Sequence, residues 1–85
     1  NTMDDVIRKE VNLERKEIIM ANINSILKQK NENIQIADVF INIKEKLNMY
    51  FDIEQDYFDS VLEEMSNKEY IDIDKNINNI KKLIY

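Results

Sequence analysis

Residues 68–85 read KEYIDIDKNINNIKKLIY, and the periodicity of this stretch decides the fold class. Tyr70, Asp72 and Asp74 alternate with Ile71 and Ile73, a period of two that suits a strand with one buried face. Asn76, Asn78 and Asn79 then supply turn residues, and residues 80–85 read as a returning strand. A terminal β-hairpin on an otherwise helical chain makes the protein α+β. Without it the same chain is a plain three-helix bundle with an irregular tail.

Upstream, the period is that of a helix. Phe58, Val61, Leu62 and Met65 mark one face and predict a helix over 53–67, with Asp52 as its cap and Gln55 three residues on, a variant of the capping box. Ile36, Val39, Phe40, Ile43 and Leu47 predict a second helix over 36–48. Earlier still, Ile19, Met20, Ile23, Ile26 and Leu27 fall within one arc about 120° wide at 100° per residue, the buried face of a helix over 13–30. Asn12 reads as its N-cap, with Glu14 near the positive end of the helix dipole. The helix ends in the polar run 29–33, where Asn substitutes for a missing Gly in a left-handed cap. Residues 1–11, NTMDDVIRKEV, mix charges with isolated apolar residues and read as a tether or linker, or else as a short helix or strand, ahead of a domain over 12–85. Three helices followed by a β-hairpin wing is the winged-helix order. The aromatic residues Phe40, Phe51, Tyr57 and Phe58 lie on or beside the apolar stripes and belong mostly to the core.

The composition excludes several kinds of chemistry. Eighty-five residues make one domain, and the chain has no Cys, His, Gly or Pro. Disulfides, thiolate nucleophiles, imidazole bases and glycine-rich phosphate loops are therefore absent. The pairs Glu63 with Glu64 and Asp56 with Asp59 read as solvating charges on a helix face rather than as an acid–base pair, so no enzyme is expected. Asp72, Asp74 and Asn76 have the spacing of the first ligands of a calcium loop. Ile77 stands where that loop needs Gly, however, and Leu83 where it needs a bidentate Glu, so neither a metal nor another cofactor is expected. No apolar run approaches the roughly 20 residues of a bilayer span, and no leader is apparent. The chain is read as soluble and intracellular, and its start at Asn1 and end at Tyr85 as those of a piece excised from a longer protein.

A net charge of −5 disfavours nonspecific attraction to nucleic acid or to an anionic membrane. Winged helices often bind DNA through the third helix, where Lys and Arg neutralise phosphates. Here that segment carries Asp52, Glu54, Asp56, Asp59, Glu63 and Glu64, with no basic residue before Lys68. Such a face repels DNA. Glu54, Asp56 and Asp59 are instead candidates for contact with a basic partner surface. Lys75, Lys81 and Lys82 on the wing leave backbone contact as the one nucleic-acid option.

On the first helix, Lys28 points about 140° away from Ile23 and onto the wet side, whereas Lys30 projects towards the apolar side. An isolated lysine there is ordinarily a solvated charge. The surrounding residues give it another meaning.

The chain resembles the C-terminal winged-helix domain of cullins, the scaffold subunits of RING-type ubiquitin ligases. The likeness begins at Glu14-Arg15-Lys16, where the family has an acidic residue followed by Arg-Lys. It continues through Ile23-Asn24-Ser25-Ile26-Leu27-Lys28, which matches the family's Ile-Val-Arg-Ile-Met-Lys, and Lys68-Glu69-Tyr70-Ile71 stands at the family's handover from helix three to the wing. Ser25 departs from the usual Arg, Asn24 from the usual Val, and the ending after Ile80 from the family's spaced tyrosines. The resemblance implies that Lys28 accepts a ubiquitin-like modifier (neddylation), with Ile23, Ile26, Leu27 and Lys30 as its surrounding motif. It also implies a RING-box protein, a neddylation conjugating enzyme and its co-ligase, the modifier and the rest of the cullin chain as partners, in cytoplasm and nucleus. Two alternatives stay open: a nucleic-acid-binding winged helix, and an unmodified interaction module of an atypical cullin relative.

Overall fold

The computed structural model describes residues 2–30 and 33–83. In chain order the elements are α1 (Thr2–Lys30), β1 (Ile34–Gln35), α2 (Ile36–Leu47), α3 (Gln55–Asn67), β2 (Ile71–Asp74) and β3 (Asn79–Lys82). Three helices followed by a hairpin is the order expected from the sequence, and the class is α+β. The bundle alternative falls, because β2 and β3 pair antiparallel with Ile73 opposite Ile80 and Asp72 opposite Lys81.

β1 has no counterpart among the elements expected from the sequence. It pairs with β3, Ile34 opposite Ile80, so the sheet has three strands in the order β1-β3-β2. Two residues show no measurable period, which is why the strand is silent in the sequence. It matters because Ile36 N–H, at the start of α2, donates to Asn78 O at 2.8 Å, tying the second helix to the wing turn.

The start of α1 is also corrected. The helix is continuous through residue 12 and begins at Thr2, so Asn12 is an interior position and not an N-cap. Nothing in residues 2–11 breaks a helix, Asp4 and Asp5 sit favourably in its first turn, and extending a helix that has already nucleated adds one bond per residue fixed. Helix α3 starts two residues later than the spacing suggests, at Gln55, and its capping box does not form. Gln55 Nε2 donates instead to Asp59 Oδ1 at 2.8 Å, and Asp52 lies 3.8 Å from Lys44 Nζ.

Left-handed backbone occurs at Glu69 (φ 62°) and Asn78 (φ 54°) among the described non-glycine residues. Residues 31 and 32, within the run expected to cap α1, lie outside the described residues, as do residues 84 and 85 of the expected returning strand. Glu69 ends α3 in a Schellman turn: its N–H donates to Ser66 O at 3.0 Å, and Tyr70 N–H donates to Met65 O at 2.9 Å. Asn78 closes the wing turn, and Asp74 Oδ1 accepts the Asn76 N–H at 3.0 Å. The carboxylate read as a calcium-ligand position thus braces a turn. Asn79 belongs to β3 rather than to the turn.

The core is drawn from every layer. Ile19, Ile23, Ile26 and Leu27 of α1 meet Val39, Ile43 and Leu47 of α2, Phe58, Val61, Leu62 and Met65 of α3, and Ile71 and Ile80 of the hairpin, with Ile53 closing the loop before α3. Phe58 is fully buried, and the Phe40 ring meets it edge-on at 5.0 Å. Phe40, Phe51 and Tyr57 are half-buried against this cluster. No buried side chain among the described residues is polar or charged, so the helices are held together mainly by burial of apolar surface.

Candidate functional site

The C-terminal half of α1 is fixed by what it buries. Ile19 and Ile23 have no exposed surface, and Ile26 and Leu27 almost none. These four side chains lock the rotation of the helix about its axis and so determine where every other side chain points. Lys28 follows at about 160° from Ile26 and 100° from Leu27, in the last turn of the helix, and is exposed. Its positive charge there is favoured by the negative end of the helix dipole. The arrangement presents a primary amine to solvent from a rigid support.

Lys30 is exposed as well, but on the other side. It lines a groove of about 390 Å3 between the end of α1, β1 and α2, together with Ile26, Asn33, Asp38, Asn42 and Asn79. The two lysines of the expected motif are therefore separated by the body of the helix. Ile23, Ile26 and Leu27 are core residues and make no surface of their own.

Two further contacts, which sequence reasoning did not find, hold α1 to the rest of the domain. Lys16 Nζ lies 3.1 Å from Glu64 Oε1, both half-buried, while Lys68 approaches the same oxygen at 3.9 Å. The Arg15 guanidinium stands 5.4 Å from the centre of the Phe51 ring. Glu64 therefore departs from its reading as a solvating charge. The partners of these contacts are up to 48 positions apart in the chain, and only their charges and ring types hinted at pairing.

The acidic residues at the start of α3 are each exposed, Asp56 and Asp59 about 60° apart round the helix and Glu54 ahead of it. Glu54 precedes α3 and its carbonyl accepts the Phe58 N–H, Asp56 lies in the first turn, Asp59 accepts from Gln55, and all three are exposed. The face on which a winged helix would meet DNA is thus negative, and on the wing Lys81 stands opposite Asp72. Among the described residues there is no cluster of acidic, His or Cys side chains able to hold a metal ion. No described helix is long and apolar enough to cross a membrane.

Comparison with known proteins adds a strong likeness in structure. No family model and no curated protein matches the chain. Among solved structures, the chain is similar to one from the complex Dcn1(P)-Cdc53(WHB), described as a dual E3 mechanism for Rub1 ligation to Cdc53. The TM-score is 0.83 with 21% identity, over 95% of this chain and 93% of that one. The fold is a winged helix. At that identity the likeness speaks for the architecture. What the winged helix does has to be argued from its side chains.

Proposed function

We propose that this winged helix is the C-terminal domain of a cullin-like scaffold of a RING-type ubiquitin ligase, and that Lys28 accepts a ubiquitin-like modifier. The observation that carries the reading is Lys28 itself: an exposed amine in the last turn of α1, held by Ile23, Ile26 and Leu27 in a motif that resembles the cullin acceptor sequence. The similarity to a domain whose described setting is Rub1 ligation supports it. The domain is a substrate and a scaffold, not a catalyst.

In the proposed reaction the neutral amine of Lys28 attacks the carbonyl carbon of a thioester joining the modifier to its conjugating enzyme. The C–N bond forms, the C–S bond breaks, the thiol leaves with the conjugating enzyme and one amine proton is lost. Only a neutral amine is nucleophilic, so the conjugating enzyme assists deprotonation. This chain supplies position: a helix whose rotation is fixed by its core, which turns a flexible encounter into an oriented one. The RING-box protein, the conjugating enzyme and its co-ligase, the modifier and the remainder of the scaffold are the proposed partners. Modification then shifts the population of arrangements open to the larger assembly.

The test is conjugation in vitro with the neddylation enzymes, on the parent chain assembled with its RING-box protein, with the modified residue mapped by peptide mass spectrometry. One isopeptide on Lys28, lost in Lys28→Arg, is the expected result. If a control cullin is modified and this chain is not, the acceptor role is wrong. Loss of assembly on charge reversal of Glu54, Asp56 and Asp59, with no effect of Lys28→Arg, would then identify an unmodified interaction module.

A further inference from the structure

The sheet ends on an open strand. In the order β1-β3-β2, the four-residue strand β2 has β3 on one side and, among the described residues, no strand on the other. Leu83 N–H donates to Tyr70 O at 3.1 Å, and Asp72 and Asp74 stand opposite Lys81 and Asn79 in the same antiparallel register. Hydrogen-bonded and non-bonded pairs alternate along such a ladder, so the backbone groups of residues 70, 72 and 74 turn towards β3. Those of Ile71 and Ile73 turn outwards to the free edge. Side chains alternate between the two faces of the sheet: Ile71 is buried and Ile73 half-buried on the inner face, while Tyr70, Asp72 and Asp74 are exposed on the outer one.

A strand edge with open N–H and C=O groups is a template for a further strand. A second copy of this chain does not suit it. Added antiparallel, with Ile71 opposite Ile73, the copy sets Asp72 against Asp72, and with Ile73 opposite Ile73 it sets Asp72 against Asp74. Like charges directly opposite are destabilising. With Ile71 opposite Ile71, Ile73 meets Glu69, whose left-handed backbone (φ 62°) lies outside the strand. The carboxylates that disfavour a copy favour a strand of opposite charge. Lys81 stands one strand further in, opposite Asp72, and Asp74 accepts one bond from the Asn76 N–H, which leaves a carboxylate sites for others. We propose that β2 docks an extended segment of a partner protein, antiparallel like the other pairs of the sheet, with apolar residues opposite Ile71 and Ile73 and Lys or Arg opposite Asp72 and Asp74. Main-chain hydrogen bonds to Ile71 and Ile73 hold the segment, and its alternating side chains select it. This edge is remote in sequence from Lys28, and its use does not depend on modification of that lysine.

The probe is a synthetic peptide of alternating valine and lysine, titrated into the isotope-labelled 85-residue chain and followed by nuclear magnetic resonance and amide exchange. A second peptide carries glutamate in place of lysine. A third keeps the lysines but has N-methylated valines, which cannot donate to the edge. At saturation the lysine peptide should slow exchange of the Ile71 and Ile73 amides by at least about tenfold. The glutamate and N-methylated peptides should each bind at least about tenfold more weakly. Asp72→Asn, an isosteric change at an exposed position whose folding thermal melting checks, should weaken the lysine peptide about two- to fivefold. The proposal is overturned if the lysine peptide does not bind at millimolar concentration, or binds while Ile71 and Ile73 exchange as freely as before. Equal binding of the glutamate peptide would overturn the choice of a basic partner, and equal binding of the N-methylated peptide would overturn strand addition. Protection of Ile71 and Ile73 that rises with protein concentration in the absence of peptide would assign the edge to a second copy and overturn the proposal as well.

Discussion

The two halves of α1 have similar apolar content and opposite fates. From Ile19 onwards Ile19, Ile23, Ile26 and Leu27 are buried, whereas Met3, Val6, Ile7, Val11, Leu13 and Ile18 remain exposed, Ile7 to 53% and Ile23 to 0%. Phase accounts for only part of the difference, since Val6 and Leu13 lie only about 20–40° beyond the core arc and are exposed all the same. Met3, Ile7 and Val11 form a stripe about 160° round the axis from the core arc, so once Ile23 faces the core the earlier stripe must face away. The contrast also separates two uses of one helix. Its second half is a rigid mount for Lys28, while its first half contributes length, giving the molecule a long axis of 45 Å against 26 and 22 Å across.

The comparison breaks most sharply at Ile23. An aspartate there places an unpaired charge in the core, against the apolar side chains of α2 and α3, at a cost of about 4 kcal/mol or more, comparable to the whole stability of a domain this size. Ile23→Asp is expected to abolish the cooperative thermal transition followed by circular dichroism. Ile7→Asp, the same exchange on the exposed stripe, should change stability by less than about 0.5 kcal/mol. Equal damage from the two would mean the two halves are not distinct.

A smaller effect tests the seam between the halves. Lys16 and Glu64 join α1 to α3 at 3.1 Å where the helix passes from free to packed. Because both side chains are about a third exposed, the pair is worth about 0.5–1 kcal/mol after screening, read as the coupling energy of a double-mutant cycle with Lys16→Met and Glu64→Gln. That coupling should shrink in high salt.

Much of this is legible in the sequence, for physical reasons that also mark where legibility ends. The phase of Ile19 to Leu27, the helical spacing through Met65 and the alternation after Lys68 each encode burial on one face, and the structure buries most of those positions, with Met20, Ile36, Phe40 and Ile73 only partly buried against the core. The orientation of Lys28 follows from that phase alone. Boundaries are harder: a polar Asn12 within a run of good helix formers imitates a cap, and Asp52 with Gln55 has capping-box spacing that the chain uses for other bonds. β1 has no period, and the contacts of Lys16 and Arg15 depend on how α1 lies against elements far along the chain. The difference in direction between Lys28 and Lys30 is visible as an angle, but the groove that gives it meaning is tertiary.

Glu69 allows a test in the stabilising direction. It holds φ 62° to close the Schellman turn between α3 and β2, a conformation that costs a residue with a Cβ about 1 kcal/mol or more. Replacing it by Gly removes that strain but widens the freedom of the unfolded chain, so Glu69→Gly is expected to gain up to about 1 kcal/mol, a rise in melting temperature of roughly 4–8 °C at most. A clear loss would show that the side chain of Glu69 matters more than its backbone.

The smallest expected effect decides how the functional experiment is interpreted. Lys28 sits on the packed half of α1 but points out of it, so Lys28→Arg keeps the charge at the helix C-terminus and disturbs no buried contact. Its melting temperature should match the wild type, because exchanges at exposed positions stay within about 0.5 kcal/mol. Loss of conjugation in a variant of unchanged stability is then a statement about the amine, since arginine preserves charge and length but offers a guanidinium that stays protonated and does not attack the thioester. Were Lys28→Arg instead to lose about 1 kcal/mol or more, Lys28 would be holding the helix in place, and the contrast between a packed mount and an exposed acceptor would fail at the residue chosen to define it.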